Sequence, residues 1–420
     1  MNSVPLDVTR RNLFGNIAKL FSNSAISQGF TALALLLTAR VLGATLYGQF
    51  AACLALASVL SVGFNLGLDI WLLREGARSQ YRISELIGSS LGIKLGFGLI
   101  WVLGLSIIGL ILQNPSFPPA LLALTAVMVW LDSILMTALS AFKASLRNEY
   151  TLIIESSSDI IWFIGTLILI FLGYKMPEAY VTLRLVILFL TCIIAYYLIS
   201  RLLGLHISRE IVRISLRACP PYALSEFLAL ALMRLDVIIV AFALGNYSVG
   251  LYSPPVSIVN ALFFIPLSVY MVMVPSLSHL FESDLLQAWK SSKRFTLLLF
   301  VVGGASSILL FFSADFVIAL LGESFTGSGI ILRILSVILL LKALSFAMAG
   351  ILVAGGRQSQ RVIIQAIAVI LGTLLNLVVV SIYGINGVAV VFVITELILF
   401  LGYMGLVRRF QIESRVIRVT

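Results

Sequence analysis

Long apolar runs follow one another along almost the whole chain, and no other feature limits its fold so strongly. Each run is close to the roughly 20 residues that an α-helix needs to cross a bilayer core about 30 Å thick. The 420-residue chain contains twelve of them, at 13–38, 48–68, 86–112, 121–141, 153–172, 179–200, 216–243, 250–275, 296–321, 331–353, 362–382 and 385–407. Only 11% of the residues are charged, compared with about 25% in soluble domains. The chain is therefore predicted to be an all-α membrane protein with about twelve transmembrane helices.

The positions of Lys and Arg predict which side of the membrane each connection faces. Basic residues cluster at both termini and in alternate connections, and the connections between those contain only Arg40 and Lys175. Because cytoplasmic loops are enriched in Lys and Arg, this pattern predicts an even number of spans with both termini in the cytoplasm. The net charge of +10 then reflects topology and contact with anionic lipid. We expect no nucleic-acid partner.

Two stretches half a chain apart are nearly the same. The sequence LGATLYGQF at 42–50 is matched by LGNYSVGLY at 244–252, at a constant offset of 202 residues. The first stretch connects the first and second apolar runs, and the other connects the seventh and eighth. Parallel repeats of this kind are typical of transporters that open alternately to either side of the membrane. We therefore predict two pseudo-symmetric six-helix bundles, 1–200 and 216–420, joined by a cytoplasmic linker at 201–215.

The linker sequence RLLGLHISREIVRIS alternates basic and apolar residues. This alternation fits an amphipathic helix that lies on the inner leaflet. It fits a solvated tether equally well.

The chain lacks the signatures of an enzyme or of a bound cofactor. It contains no GxxxxGK[ST] phosphate-binding loop. Its two histidines, His206 and His279, have no set of companions at metal-ligand spacing. No long segment outside the apolar runs is available for a catalytic domain. We therefore expect no catalytic residues, no cofactor and no metal, so the helices in lipid must carry out the function.

Charged residues inside the apolar runs are the candidate functional residues, because each costs about 2.5–3.5 kcal/mol at the centre of a span. Three cations and three acids lie nearest the middle of their runs: Lys94, Arg234, Lys342, Asp132, Asp236 and Glu396. Because they occur in both halves, they predict a polar cavity between the bundles. The alternative is that each belongs to a structural ion pair between helices.

We expect the other charged residues in the apolar runs to have structural rather than functional roles. Arg184 lies nearer the outer end of its run, and we expect it to extend toward the membrane surface. Asp315 and Arg333, near the outer ends of adjacent runs, are expected to form a salt bridge. Glu155 and Asp159 form an acidic i,i+4 pair near the inner end of theirs. We expect this pair to be solvated at the headgroups rather than buried as a site for a proton or cation.

Four stretches resemble the polysaccharide-type flippases of the multidrug/oligosaccharidyl-lipid/polysaccharide (MOP) exporter superfamily. They are TARVLGATLYGQFA (38–51), GLDIWLLREGAR (67–78), ALSAFKASLRNEY (138–150) and LMRLDVIIVAFALGNYSVGLYSPPVSIV (232–259). The resemblance implies a MATE-like fold and a multi-pass protein of the bacterial or archaeal inner membrane. It also implies transport of polyprenyl-diphosphate-linked oligosaccharide to the outer leaflet, as in O-antigen, capsule or exopolysaccharide assembly. A polysaccharide polymerase and glycosyltransferases are then candidate partners.

The resemblance further implies roles for the charged residues, since cations are needed to bind a diphosphate. The candidate substrate-binding residues are Lys94, Arg234 and Lys342, followed by Arg40 and Arg74; the candidate ion-coupling or cavity acids are Asp132, Asp236 and Glu396. Acids equal cations in number at mid-depth, so other functions stay open. One is a MATE-like cation-coupled drug antiporter. Another is a non-transporting membrane scaffold or biogenesis factor, in which all these charges are structural.

Overall fold

The computed structural model describes the backbone of residues 10–416 and the side chains of residues 27–414. In this part of the chain every regular element is helical. The α-helices are α1 (Arg10–Leu60), α2 (Val62–Asn65), α3 (Leu68–Arg78), α4 (Ile83–Leu112), α5 (Pro119–Ala144), α6 (Asn148–Phe171), α7 (Pro177–Leu202), α8 (Arg209–Ala218), α9 (Pro220–Leu262), α10 (Phe264–Ser283), α11 (Leu285–Ala319), α12 (Ser328–Ala354) and α13 (Gln358–Val416). Nine helical stretches among the described residues are long and apolar enough to span a membrane. The prediction of an all-α membrane protein is confirmed for these residues.

Three of the longest described helices contain a glycine whose torsion angles are not helical. These are Gly43 in α1 (φ 70°, ψ 172°), Gly245 in α9 (φ 80°, ψ 178°) and Gly384 in α13 (φ 59°, ψ −150°). Glycine reaches positive φ at little cost because it has no β-carbon. Each glycine therefore divides its helix into two arms. Gly43 and Gly245 are equivalent residues of the repeated sequence, so α1 and α9 break at matching points.

The repeated turns pack against each other. A β-carbon added at Gly48 would overlap the carbonyl oxygen of Asn246, and one added at Gly250 would overlap the carbonyl oxygen of Ala44. Ala44 and Asn246 are themselves related by the offset of 202 residues, so the two contacts are equivalent. The glycine spacing that the two copies of the repeat share is therefore explained by packing, because each turn lies directly on the backbone of the other half.

The linker between the halves contains a short helix that is docked on the first half. The Ser208 side chain caps α8 by accepting a hydrogen bond from the backbone N–H of Ile211 at 3.5 Å. The backbone of Ser208 also exchanges hydrogen bonds with the Ser89 hydroxyl of α4, at 3.1 and 3.2 Å. Ile211 and Ser215 are buried. The linker is therefore partly an amphipathic helix, and this helix extends past the predicted end of the linker to Ala218.

The buried apolar residues form two main clusters. The larger includes residues from both halves, such as Phe142 of α5, Tyr252 of α9 and Leu339 of α12. The smaller contains only residues from the second half, such as Met273 and Leu299. The two halves consequently share one core, and the second half has an additional core of its own.

Candidate functional site

A cavity of about 510 Å³ lies between the first half of the chain and α9. Side chains from α1, α2, α3, α5, α6 and α7 form most of its wall. Glu226, Leu230 and Arg234 of α9 complete it, and because they are four residues apart they lie on one helix face. The volume falls within the roughly 300–1,000 Å³ that is typical of small-molecule sites. A cavity at the boundary of the two halves therefore exists, but the first half supplies most of its lining.

The cavity lining combines apolar, polar and charged side chains. Its short polar side chains are Thr31, Thr38, Ser58, Ser61, Asn65, Ser133 and Ser140. Its charged side chains are Asp69, Asp132, Glu226, Arg184 and Arg234. Most of the remaining lining is apolar or aromatic. Because burying unpaired polar groups in hydrocarbon is costly, such a lining suits a polar ligand that must be shielded from lipid.

Two of the charged cavity residues have no hydrogen-bond or ion-pair partner within residues 27–414. They are Arg234, which α9 contributes, and Asp132, which α5 contributes. The other three are bonded to protein groups. Arg234 and Asp132 are therefore the charged groups of the lining that no salt bridge or hydrogen bond occupies within these residues.

Lys94 lies behind the cavity wall and is fully buried. Its ammonium nitrogen donates to both carboxylate oxygens of Asp69 and to the carbonyl oxygen of Ser133, each at 2.8 Å. The Thr137 hydroxyl also donates to Asp69 at 2.8 Å. Each N–H of Lys94 therefore already has an acceptor. Its role here is to neutralise Asp69 rather than to face a ligand.

A hydrogen-bonded chain links the two halves at the side of the cavity. The Ser133 hydroxyl of α5 donates to the Asn65 side-chain oxygen at 2.9 Å. The Asn65 amide of α2 in turn donates to the carboxylate of Glu226 in α9. Glu226 is thus engaged through an N–H donor from the first half.

Arg184 lines the cavity instead of extending toward the membrane surface, so that expectation was wrong. Its guanidinium pairs with Asp159 of α6 at 2.9 Å and lies 4.6 Å from the centre of the Trp162 ring. The Ser27 hydroxyl donates to the same carboxylate. Asp159 is buried, whereas the sequence analysis expected it to be solvated. The pairing explains both differences, because a neighbouring opposite charge offsets much of the cost of burying each group.

Lys342 and Glu396 pair with each other, away from the cavity. The Lys342 ammonium donates to one carboxylate oxygen of Glu396 and lies 5.2 Å from the centre of the Phe263 ring. Glu396 is fully buried. This arrangement corresponds to the structural ion pair that the sequence left as an alternative.

Asp236 borders a second, much smaller cavity of about 30 Å³, which Thr373, Asn376 and Thr395 of α13 also line. The Tyr252 hydroxyl donates to one Asp236 oxygen at 2.5 Å, and the Val237 N–H donates to the other at 2.8 Å. Arg234 is two residues away and faces the large cavity, as expected for helix positions that point in nearly opposite directions. The structure therefore separates these two charges into different cavities.

Arg40 and Arg74 lie outside the lining of the large cavity. Arg40 is exposed in α1. Arg74 is exposed in α3 and donates to the Tyr222 hydroxyl at 2.6 Å. The expected salt bridge between Asp315 and Arg333 is confirmed.

The expectation that Lys94, Arg234 and Lys342 meet in one chamber is not met. Of these three cations, only Arg234 lines the large cavity. Lys94 and Lys342 are each paired with a buried or partly buried carboxylate instead. An unpaired charge inside the protein costs several kcal/mol, which explains why these two lysines take carboxylate partners.

Known proteins resemble this chain in sequence and in fold. A sequence profile described as "Polysaccharide biosynthesis protein" matches residues 13–281, and no curated relative matches by sequence. The inward-facing conformation of a multidrug resistance MATE family transporter of the MOP superfamily superposes with a TM-score of 0.74 at 16% identity, covering 92% of this chain and 96% of that one. The outward-facing conformation of such a transporter gives 0.64 at 18% identity, covering 95% and 96%. The lipid II flippase MurJ, in an inward closed conformation, gives 0.73 at 16% identity, covering 93% and 87%. At these identities the likeness shows a common fold, and the expected MATE-like fold is confirmed.

Proposed function

Since this chain belongs to the polysaccharide biosynthesis protein family, we propose that it moves a polyprenyl-diphosphate-linked oligosaccharide from the cytoplasmic to the outer leaflet of a bacterial or archaeal inner membrane. The chain has the fold of the MOP transporters, so it acts as a transporter rather than an enzyme. Surface polysaccharide assembly, of O-antigen, capsule or exopolysaccharide, is the process in which we place it. A polymerase and glycosyltransferases are the partners that this process requires.

One observation carries the proposal. Arg234 is the one cation of the large cavity that forms no salt bridge or hydrogen bond among residues 27–414. A partly buried guanidinium without a salt-bridge partner is unfavourable, so an anionic ligand would stabilise the cavity. The planar guanidinium fork matches the oxygens of a phosphate. The hydroxyl and amide side chains of the same lining supply hydrogen-bond partners for sugar hydroxyls, while the lipid tail stays in the bilayer.

We assign the coupling ion to the small cavity beside Asp236. Thr373 and Thr395 donate their hydroxyl hydrogens to the carbonyls of Val369 and Val391, at 2.7 and 2.8 Å. Their lone pairs therefore remain available. The side-chain oxygen of Asn376 is buried and has no hydrogen-bond partner within the described side chains. A lining that offers oxygen acceptors beside a carboxylate suits a small hard cation, and about 30 Å³ is enough for one ion or one water.

The proposed topology has twelve spans in two bundles with both termini cytoplasmic. The breaks at Gly43, Gly245 and Gly384 support this count, because each divides one of the nine long stretches into two arms. In this topology the packed repeated turns lie at the outer surface and close it.

Asp132 favours a second candidate function. Its carboxylate also lines the large cavity without an ion-pair partner in the described part of the chain. A free acid in such a cavity is the group that a MATE-like antiporter would use to bind a cationic drug. For the flippase, the same carboxylate would accept hydrogen bonds from the sugar.

Transport in reconstituted vesicles tests the proposal directly. The substrate is an isoprenyl-diphosphate-linked disaccharide with a fluorophore on the sugar, and dithionite added outside reduces only fluorophore exposed on the outer leaflet. Wild-type protein should make nearly all the fluorophore accessible. Arg234→Ala should leave the inner-leaflet pool protected at equal protein content, because the phosphate ligand is lost.

Arg333→Ala is the matched control, because Arg333 is a partly exposed arginine paired with Asp315. It should behave like the wild type. If Arg234→Ala transports as fast as the control, Arg234 has no part in the mechanism. Two results together would replace the flippase with the antiporter. The wild type would leave the inner-leaflet fluorophore protected, and vesicles containing it would expel a fluorescent cation when an ion gradient is applied.

A further inference from the structure

A groove of about 390 Å³ lies between α11, α12 and α13 of the second half, away from both cavities described above. On its α11 side, Leu297 and Phe300 are 62% and 50% exposed. Met348 and Ile351 of α12 and Val407 of α13 also line the groove, and they are buried. The groove therefore has a buried apolar base and an exposed apolar wall. In a membrane such a wall faces the hydrocarbon of the bilayer, so a lipid chain has direct access to the groove.

One end of the groove is polar. Trp289, Ser292, Lys293 and Thr296 lie near the beginning of α11, and Gln411 lies near the end of α13. The rest of the lining is apolar. Tryptophan is enriched where the bilayer meets water, and a lysine near a helix end extends its ammonium group toward the same level. The polar end of the groove therefore lies at the depth of the lipid head groups.

The charge of the groove is positive and is not neutralised within the described side chains. Lys293 is exposed, and it is the one charged side chain of the lining. It forms no salt bridge or hydrogen bond among residues 27–414, and neither does the carboxamide of Gln411. Ser292 and Thr296 instead donate to backbone carbonyls of α11, each at 2.8 Å. The polar end thus offers an ammonium group and an amide N–H, which is complementary to an anion.

A second groove between the same three helices shows how the charge differs toward their other ends. It has a volume of about 400 Å³, and its charged residue, Arg333, is paired with Asp315. Between the two grooves α11 and α12 are in close contact, since a β-carbon added at Gly303 would overlap that of Ala343. Each groove therefore belongs to one leaflet. Of the two, the groove at Lys293 has the positive charge that no salt bridge neutralises in the described part of the chain.

We propose that the groove at Lys293 binds a phospholipid whose head group carries a net negative charge. Lys293 and Gln411 contact the head group, and an acyl chain lies along Leu297 and Phe300. Lys293 and Phe300 are about 10 Å apart along the helix axis, so the groove takes the upper part of the chain. In the proposed topology this lipid belongs to the cytoplasmic leaflet. The site is separate from the transport cavity, and the inference does not depend on the flippase.

Native mass spectrometry of the purified full-length protein tests the head-group preference. The probes are phosphatidylglycerol and phosphatidylcholine with identical acyl chains, and titration gives a Kd for the first lipid bound. Wild type should bind phosphatidylglycerol more tightly. Lys293→Gln should reduce this preference about fivefold, the contribution of one basic residue to binding an anionic lipid surface. It should leave phosphatidylcholine binding nearly unchanged.

Lys290→Gln is the matched control for the charge. Lys290 is exposed one turn earlier in α11 and does not line the groove. This variant removes the same charge from the same helix and should keep the wild-type preference. If the two variants reduce the preference equally, the attraction comes from the basic surface as a whole, and the proposed site is wrong.

A pair of adjacent substitutions tests the place of the acyl chain. Leu297→Trp puts a larger side chain on the wall of the groove and should weaken binding of both lipids by a similar factor. Leu298→Trp is its control, because Leu298 is exposed but does not line the groove. It should bind both lipids as the wild type does. Equal binding in Leu297→Trp and Leu298→Trp would show that the chain does not lie in the groove.

The groove at the other end of the helices provides a gain-of-function test. Asp315→Asn removes the partner of Arg333, so the second groove then carries a positive charge without a salt bridge. This variant should bind a second phosphatidylglycerol with a preference over phosphatidylcholine that the wild type does not show there. The absence of a second site would contradict the role assigned to the free cation.

Two further results would assign the groove at Lys293 to another occupant and overturn the proposal. If farnesyl diphosphate displaces phosphatidylglycerol from the wild type but not from Lys293→Gln, the groove binds an isoprenyl lipid instead. If the wild type is a dimer that Leu297→Trp dissociates, a second copy of the chain covers the groove. Neither result bears on transport of the labelled oligosaccharide, which tests the flippase separately.

Discussion

In the first half of the chain the buried charges surround a cavity of about 510 Å³, whereas in the second half Asp236 borders one of about 30 Å³ and Lys342 pairs with Glu396. Yet the halves share a sequence repeat, matching glycine breaks and equivalent contacts between their turns. The two halves therefore have the packing of their turns in common. Their charged residues differ.

The helix α9 connects the two kinds of cavity. Arg234 faces the large cavity and Asp236 borders the small one, because successive helix positions turn by about 100°. Movement of α9 would change both cavities at once. In the proposed flippase, this helix is therefore the element through which binding of a cation beside Asp236 would affect binding of the substrate at Arg234.

The largest expected effect on stability is that of Lys94→Met in the first half. The variant leaves the Asp69 carboxylate without its counter-charge, and breaking a buried ion pair in this way costs about 3–5 kcal/mol. Thermal unfolding in detergent should show a large decrease in melting temperature. The double variant Lys94→Met/Asp69→Asn should recover most of the loss, because no unpaired charge remains. Recovery would be absent if Lys94 acted mainly through apolar packing of its side chain.

Lys342→Met in the second half should lower the stability less than Lys94→Met does in the first half. The Lys342 side chain is partly exposed and makes one hydrogen bond to protein, to Glu396, whereas Lys94 makes three. We expect a loss of about 3 kcal/mol, at the lower end of the range for a broken buried ion pair, because the variant leaves the fully buried Glu396 carboxylate without its partner but breaks only one hydrogen bond. The same thermal measurement checks it. A loss as large as that of Lys94→Met would show that the two ion pairs are equivalent.

Much of the fold could be predicted from the sequence, because helix length and turn position are local properties. The apolar runs predicted the spans, and the repeated motif located Gly43 and Gly245, which break α1 and α9. The partners of the buried charges depend on how each helix is rotated about its axis. For this reason the pairing of Lys94 with Asp69 was not predicted, although Lys94 was identified as a charge inside an apolar run.

Arg184 is a cavity residue that the sequence analysis placed wrongly. Its position near one end of an apolar run suggested exposure at the membrane surface. A better signal was present in the neighbouring run, since Asp159 and Arg184 lie on consecutive helices, α6 and α7. Opposite charges on two helices joined by a short turn are well placed to pair, and such a pair can be buried where a single charge cannot.

The small cavity of the second half should make the protein's stability depend on a monovalent cation. Sodium bound beside Asp236 would stabilise the folded state by about 1.4 kcal/mol at ten times its Kd. Replacing potassium with sodium should therefore raise the melting temperature of the wild type. Asn376→Leu should abolish this shift, because it removes one of the oxygen ligands.

The matched control is Asn260→Leu, since Asn260 also has a buried side-chain oxygen without a partner among the described side chains but does not line the small cavity. This control should keep the sodium response. If the wild type shows no difference between sodium and potassium, or if both variants keep the response, the small cavity is not the coupling site.

The smallest expected effect on stability is that of Asp132→Asn in the large cavity. Because Asp132 lines the large cavity and forms no salt bridge within residues 27–414, the change breaks no ion pair and should alter the free energy of unfolding by about 1 kcal/mol or less. This contrasts with the paired charges of both halves, and it makes the variant a clean test of function. A flippase should retain movement of the labelled oligosaccharide at a reduced rate, since the sugar loses one hydrogen-bond acceptor while Arg234 still binds the phosphate. Efflux of a cationic dye by the wild type that disappears in Asp132→Asn would instead assign the large cavity to the antiporter.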